Sequence, residues 1–433
     1  MFRFVYNLLF PVALLLVLPS YLAKLRRRGN YRHKFWQRFG IYDTEAQTRL
    51  AGGGRVWFHA VSVGEVAIAL KLATTMRAQN PAFECVLTTT TTTGFAFANQ
   101  PTREWIEVMY HPIDWWPIVH RAFGVIRPAK LVLVEAEVWP NLVAIARARR
   151  IPVALINARL SHRSERRFLR FRSLVAPTFR CLDLVCVQEP KDVERWAALG
   201  ILRDRIQEVG SVKYDPAETM IDAETPRTVM RAFGIEDDRP VLFGGSTHLG
   251  EEDILGGVFR EIRAQVPRCL LVLAPRHVER VPDVRTRLEA MSLNVALRSE
   301  GGREKATSID CLLLDTTGEL QGWYSIATVV FMGKSLSARG GQNPVEPLLA
   351  GKPVIFGPHM ENFASLAEDL LVRGGALQVT DPPSLTARVT ELLRDPARRA
   401  ELVGNALPVL ARHRGATQRT AELIETVRSQ EHA

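Results

Sequence analysis

The chain has 433 residues, of which 47% are hydrophobic and 24% charged; this excludes a disordered or low-complexity protein and leaves room for two domains or more. Lys and Arg outnumber Asp and Glu, 56 to 46, for a net charge of +10, so anionic partners are favoured (nucleic acid, phosphorylated lipid or a negatively charged substrate) without a choice among them. The five cysteines, Cys85, Cys181, Cys186, Cys269 and Cys311, lie mostly in apolar runs and form no CxxC pair, which argues for buried, reduced thiols and against disulfides or zinc.

The N-terminus is apolar from Phe4 to Ala23, about the ~20 residues that cross a bilayer. Lys24, Arg26, Arg27, Arg28, Arg32 and Lys34 follow directly. The positive-inside rule keeps such a cluster, and the domains after it, on the cytoplasmic side. A cleaved signal peptide carries its charge before the apolar run, the reverse of this order. Pro11 and Pro19 interrupt the run, so an interfacial anchor is the alternative to a full span, and a buried core helix is the reading without membrane attachment.

Strands and helices then alternate. Strands are expected at Arg55–Ala60, Phe83–Leu87, Leu131–Val134, Val153–Ile156, Leu182–Val187 and Ile206–Val209, with helices at Val66–Met76 and Asn141–Arg149 among them. A second series has strands at Val241–Phe243, Leu270–Leu273, Cys311–Leu314, Thr328–Met332 and Val354–Phe356. Alternation of this kind predicts parallel sheets with crossover helices. The expected organisation is an anchor at 1–23, a first domain at 24–215, a linker at 216–240, and a second domain at 241–433 that ends in a helix over Ala411–Gln430. The threonines Thr88–Thr93 read as a strand end followed by a helix cap, or as a hydroxyl-lined phosphate site.

In open α/β sheets ligands sit beyond the carboxyl ends of the strands, and candidate residues gather there. Glu65, in His59-Ala-Val-Ser-Val-Gly-Glu65, opens a helix. It is either a general base towards a hydroxyl or a helix-capping glutamate. Glu135 and Glu137 follow the next strand, in a segment that continues Val-Trp-Pro-Asn141; Glu137 can hold a cationic or hydroxyl group, or the segment is a structural Trp-Pro turn. Arg159, Ser161 and Arg163 begin an arginine-rich stretch with Phe168 and Phe171 inside it. That stretch fits a phosphorylated or membrane-embedded partner, RNA, or a solvated basic helix. Lys213 and Arg276-His277 follow strands of the two series and are cations suited to a phosphate leaving group. The glycine-rich segment Gly333–Pro358 reads as a phosphate cradle or a connecting loop, with Glu346 placed to bond a ribose. No DxD pair, HExxH or Walker motif is present.

Taken together, these segments resemble the Kdo (3-deoxy-D-manno-octulosonic acid) transferases of bacterial lipopolysaccharide synthesis. The residues carrying the resemblance are Ser62-Val-Gly-Glu65, Glu135-x-Glu137-x-Trp-Pro-Asn141, Asn157-Ala-Arg159-Leu-Ser161, Lys213-Tyr-Asp215, Pro275-Arg-His277, Thr317-Gly-Glu-Leu320 and Gly340-Gly-x-Asn343-Pro-x-Glu-Pro347. The family often has histidine at the position of Gln342 and a small residue at that of Lys334. The resemblance implies two Rossmann-like doubly wound domains (GT-B) with an N-terminal membrane-anchor helix. It implies an inverting transfer of Kdo from CMP-Kdo to the lipid A precursor lipid IVA, with Glu65 as base and Glu137 and Lys213 supporting the transition state. Pro275, Arg276, His277, Thr317, Gly318, Glu319, Asn343, Pro344, Val345 and Glu346 match its CMP site, and Arg159, Ser161 and Arg163 are the expected acceptor contacts. No metal, cofactor or nucleic acid is expected. The inner membrane is the expected location, with the domains facing the cytoplasm.

Overall fold

The computed structural model of the chain describes residues 2–28, 34–215, 222–301 and 309–429. They fall into two compact units, Met1–Asp215 with His413–Ala433, and Pro216–Arg412. The first holds β1 (Val56–His59), β2 (Cys85–Thr89), β3 (Ile106–Tyr110), β4 (Lys130–Val134), β5 (Val153–Ala158), β6 (Leu184–Val187) and β7 (Ile206–Glu208). These pair in parallel in the order β3-β2-β1-β4-β5-β6-β7. The order reverses between β1 and β4, where Val56 lies beside Lys130 and His59 beside Leu133. Alternate residues serve opposite faces. Trp57, Leu131 and Leu133 join one buried cluster, while Phe58, Val132 and Val134 join another. Both faces are therefore covered, which is why these strands are nearly continuous apolar runs.

The second unit holds β8 (Val241–Thr247), β9 (Leu270–Pro275), β10 (Val295–Leu297), β11 (Cys311–Leu313), β12 (Val329–Met332), β13 (Val354–Phe356) and β14 (Leu377–Gln378). They run in parallel in the order β10-β11-β9-β8-β12-β13-β14, which reverses between β8 and β12. Gly333, just after β12, lies so close to β8 that an added Cβ would meet the Ser246 carbonyl oxygen at 2.3 Å. Only glycine permits that approach. The short strands β3, β10 and β14 were outside the sequence expectation. All five cysteines are buried and free.

The domain boundaries differ from those expected at two places. The helix Glu224–Ala232 falls inside the expected linker and packs on the helix Leu320–Ile326 of the second unit; residues 216–221 lie outside the described residues. The expected second domain ran to residue 433, yet the chain from His413 onward belongs to the first unit. The reason is local. The Asp215 carboxylate accepts from the N–H groups of Gly415 (2.7 Å) and Thr417 (2.8 Å), closing the start of the helix Ala416–Thr426. Ala421 and Ile424 of that helix are buried in the first core.

Phe2–Arg28 is one helix of 27 residues. Tyr6 donates its hydroxyl to Asp114 at 3.1 Å, and Asn7 and Asn141 exchange amide bonds at 2.9 and 3.0 Å. One side of the helix thus rests on the first unit, while Phe4, Leu8, Leu9, Val12, Leu15 and Leu16 are exposed. Among the described residues no helix is long and apolar enough to cross a membrane. The side chains of residues 17–33, with most of the basic cluster, lie outside those described.

Candidate active site

The turn after β1 is closed by Ser62, whose Oγ accepts from the Glu65 N–H at 3.3 Å. Glu65 turns back over it. Its Oε2 accepts from the Val61 N–H and its Oε1 from the Ser62 hydroxyl, both at 2.8 Å. Ser62 is the N-cap of the helix Val63–Gln79, and Glu65 closes the turn before it through the Val61 N–H rather than the N-cap N–H, so a capping role is realised. Each carboxylate oxygen has a second lone pair left for a substrate hydroxyl, so capping and base roles are compatible. The threonine run supports the same turn: Thr89 and Thr91 donate to the Val61 carbonyl at 3.2 and 3.0 Å, and Thr91 caps the helix Thr92–Ala98. His59 is core rather than site; it stacks on His111 with centroids 3.6 Å apart, and burial pushes its imidazole down to about 3.

β4 is the neighbour of β1 at the order reversal, and it delivers the second group of charges. Glu135 adopts a left-handed φ of 61° at the strand end. Its carboxyl is raised by burial and then by the Glu65 charge, against the pull of Arg159 and Lys213. Glu137 is pushed up to about 7 by burial and by Glu65, although the Trp139 indole donates to its Oε2 at 3.0 Å. Lys213, in the turn after β7, is lowered by burial, with Glu135 opposing and Arg159 adding to the effect. Asn157 at the end of β5, itself at φ 48°, fixes that turn: its Oδ1 accepts from the Ser211 hydroxyl and the Val212 N–H, each at 3.1 Å. The structure therefore gathers Glu65, Glu135, Glu137, Arg159 and Lys213 beyond the carboxyl ends of β1, β4, β5 and β7. Perturbed, mutually coupled groups of this kind mark functional sites.

The other two expected acceptor residues lie at the start of the following helix. Ser161 caps the helix His162–Arg170 by accepting from the Ser164 N–H at 3.2 Å, and Arg163 is exposed on the helix. Leu169, Phe171 and Leu174 are exposed beside Arg166, Arg167 and Arg170, so the surface is both basic and apolar. A cavity of about 370 Å³ lies under it, lined in part by Tyr6, Glu137, Trp139, Arg167, Phe168 and Phe179.

In the second unit the expected donor residues occupy the same edge of the sheet. Pro275 ends β9, and the N–H of Arg276 donates to the Thr247 carbonyl at 3.0 Å. His277 is exposed, 5.9 Å from the His248 ring. Thr317 and Gly318, the latter at φ 89°, follow β11 and lead to Glu319, which pairs with Arg298 at 2.9 Å and accepts from the Trp323 indole at 3.3 Å. Asn343 Oδ1 accepts from the Val345 N–H at 3.1 Å across Pro344, opening the helix Val345–Leu349, and burial raises the Glu346 carboxyl.

Sequence reasoning missed Glu251. It is fully buried and accepts from the N–H groups of His248 (2.9 Å), Lys334 (2.7 Å), Ser335 (2.9 Å) and Leu336 (3.1 Å). Its place in the first turn of the helix Glu251–Arg263 reads as an ordinary dipole partner. In the fold it ties β8 to the glycine-rich loop after β12. Asp114 was missed for a similar reason: it precedes one helix in sequence but caps another, Pro140–Ala148, in space. Among the described residues no group of three His, Cys, Asp or Glu side chains is placed to hold a metal ion.

Comparison with known proteins bears on these charges. Residues 33–216 match the family described as 3-deoxy-D-manno-octulosonic-acid transferase (kdotransferase). The chain is 31% identical over 429 residues to the 3-deoxy-D-manno-octulosonic acid transferase of Haemophilus influenzae, covering 98% of each chain. It is 35% identical over 411 residues to that of Bordetella pertussis, covering 93% of this chain and 94% of the other. Among solved structures, a UDP-GlcNAc 2-epimerase from Neisseria meningitidis superposes with a TM-score of 0.57 at 14% identity, over 86% of this chain and all of that one, a likeness of fold. With identity this high over nearly its whole length, the chain belongs to the 3-deoxy-D-manno-octulosonic acid (Kdo) transferase family of glycosyltransferases.

Proposed function

We propose that the protein transfers Kdo from CMP-Kdo to a sugar hydroxyl of the lipid A precursor lipid IVA, with inversion at the anomeric carbon. The observation that carries this reading is the coupled cluster of Glu65, Glu135, Glu137, Arg159 and Lys213 at the order reversal of the first sheet. Glu65 accepts the proton of the attacking hydroxyl. The new glycosidic bond forms as the bond from the anomeric carbon to the phosphate breaks, and CMP departs with the electron pair. Glu137 and Lys213 support the charge that develops in this step. Pro275, Arg276, His277, the Thr317–Glu319 turn and the Asn343–Glu346 segment hold the CMP moiety. A monophosphate leaving group is within reach of cations and helix N-termini.

The lipid acceptor fits the surfaces of the first unit. The outer face of the N-terminal helix is apolar at Phe4, Leu8, Leu15 and Leu16, and the arginine-rich helix exposes Leu169 and Phe171. A helix docked by Tyr6 on one side and apolar on the other lies in the membrane interface. The test is incubation of the purified full chain with CMP-Kdo and lipid IVA in detergent, followed by mass spectrometry. Addition of Kdo mass to the lipid with equimolar CMP release is expected. CMP release without a modified lipid, or neither, refutes the proposal.

A further inference from the structure

The helix Pro140–Ala148 has no capping side chain of its own, since Trp139 stands at its N-cap. Its free first-turn amides are closed from elsewhere. The buried Asp114 carboxylate accepts from the N–H of Asn141 at 3.1 Å and of Leu142 at 2.9 Å. The third donor to Asp114 is the Tyr6 hydroxyl at 3.1 Å, from the N-terminal helix. Asn7, one residue on, binds the same place: its Nδ2 donates to Asn141 Oδ1 at 2.9 Å, and its Oδ1 accepts from Asn141 Nδ2 and from the Trp116 N–H, both at 3.0 Å. Asn141 Nδ2 also reaches the Asp114 carbonyl at 2.8 Å. On the other side of Pro140, the N-cap residue Trp139 donates its indole N–H to Glu137 Oε2. The bonds that Asp114 and Asn7 make at Asn141 and the Trp139 bond to Glu137 are therefore joined through the backbone of Trp139-Pro140-Asn141.

We propose that Tyr6 and Asn7 are positioning residues for Glu137: the N-terminal helix completes the cap on Pro140–Ala148, so its seating sets the Glu135–Trp139 loop. The helix then does more than hold the protein at a membrane. Burial leaves Asp114 dependent on its donors and raises its carboxyl to about 6, so losing Tyr6 weakens the cap rather than merely exposing it. The proposal rests on the reading of Glu137 as a group of the transfer site.

The test uses the full chain with Tyr6→Phe, Asn7→Ala and both together, assayed for Kdo transfer in membranes and in detergent. The double variant is expected to fractionate with membranes as the wild type does. Its kcat falls about 10-fold or more, the scale of a small misplacement of a reacting group, while KM for CMP-Kdo is unchanged. On a Glu137→Gln background the same two substitutions cost no further activity. A general packing role predicts instead that the losses add. Should the double variant fold poorly, Tyr6→Phe alone, which removes one oxygen atom, gives the same comparison at smaller amplitude. A kcat within about twofold of wild type, or a full additive loss on the Glu137→Gln background, overturns the proposal while leaving the transferase reading intact. A wild-type chain that transfers no Kdo overturns that reading, and the positioning role with it.

Discussion

Glu65→Gln separates the capping bonds that the structure gives this residue from the base role proposed for it. Both carboxylate oxygens accept hydrogen bonds, from the Val61 N–H and the Ser62 hydroxyl. A glutamine keeps the shape and one carbonyl acceptor, so most of the cap survives. Losing a cap completely costs about 1 kcal/mol, which in a unit of this size lowers Tm by about 2–4 °C. The amide, however, cannot take a proton. General base catalysis contributes about 10²–10⁴ in rate, and a loss of that size is expected in CMP-Kdo-dependent transfer. Ser62→Ala supplies the converse: it removes the N-cap and one of the two bonds to Glu65 but leaves the carboxylate. Its Tm falls at least as far as that of Glu65→Gln, and its rate falls much less. Initial rates from CMP release, with Tm by circular dichroism, measure both. If Glu65→Gln transfers Kdo within about threefold of wild type, or if the two variants lose activity in step, Glu65 is only a cap and the base lies elsewhere.

Other expectations follow from the same geometry. Glu137 has its carboxyl raised from 4.5 to about 7, so the fold holds its proton more tightly than the unfolded chain does. The cost to stability is nearly absent at pH 4.5, grows from there as pH rises towards about 7 and is complete above it; Glu137→Gln should therefore raise Tm at pH 8 and leave it nearly unchanged at pH 4.5, and an equal effect at both would contradict the burial argument. Glu251→Ala orphans four backbone donors, at about 1–3 kcal/mol for each one left buried; melting of the second unit should drop by several degrees and Lys334–Leu336 should lose protection in hydrogen exchange. Deleting residues 1–22 should release the protein from membranes, as read by sedimentation; retention at wild-type level would make the arginine-rich helix the main attachment.

The alternation of apolar runs determined two parallel doubly wound units, because strands buried on both faces by crossover helices must be apolar throughout. The strand-end motifs also named Glu65, Glu137 and Lys213 one by one, since turns after parallel strands carry their own local signals of glycine, proline and charge. Local pattern left β3, β10 and β14 unmarked: each lies at an edge of its sheet, where Glu107, Leu297 and Gln378 are not fully buried and the apolar run is short or broken. It also placed the C-terminal helix in the wrong unit. Asp215 and Gly415 are 200 positions apart, and no neighbouring residue records that bond.

The same limit applies within the site. The tertiary structure alone set β1 beside β4 and so brought Glu65 close enough to raise Glu135 and Glu137. It alone gave Asp114 to a distant helix, Glu251 to a distant loop, and Tyr6 to the carboxylate that caps the helix after β4. A carboxylate's chemistry depends on its desolvation and on charges a few ångströms away. Both are properties of packing, and a linear sequence does not contain them until the strands take their order.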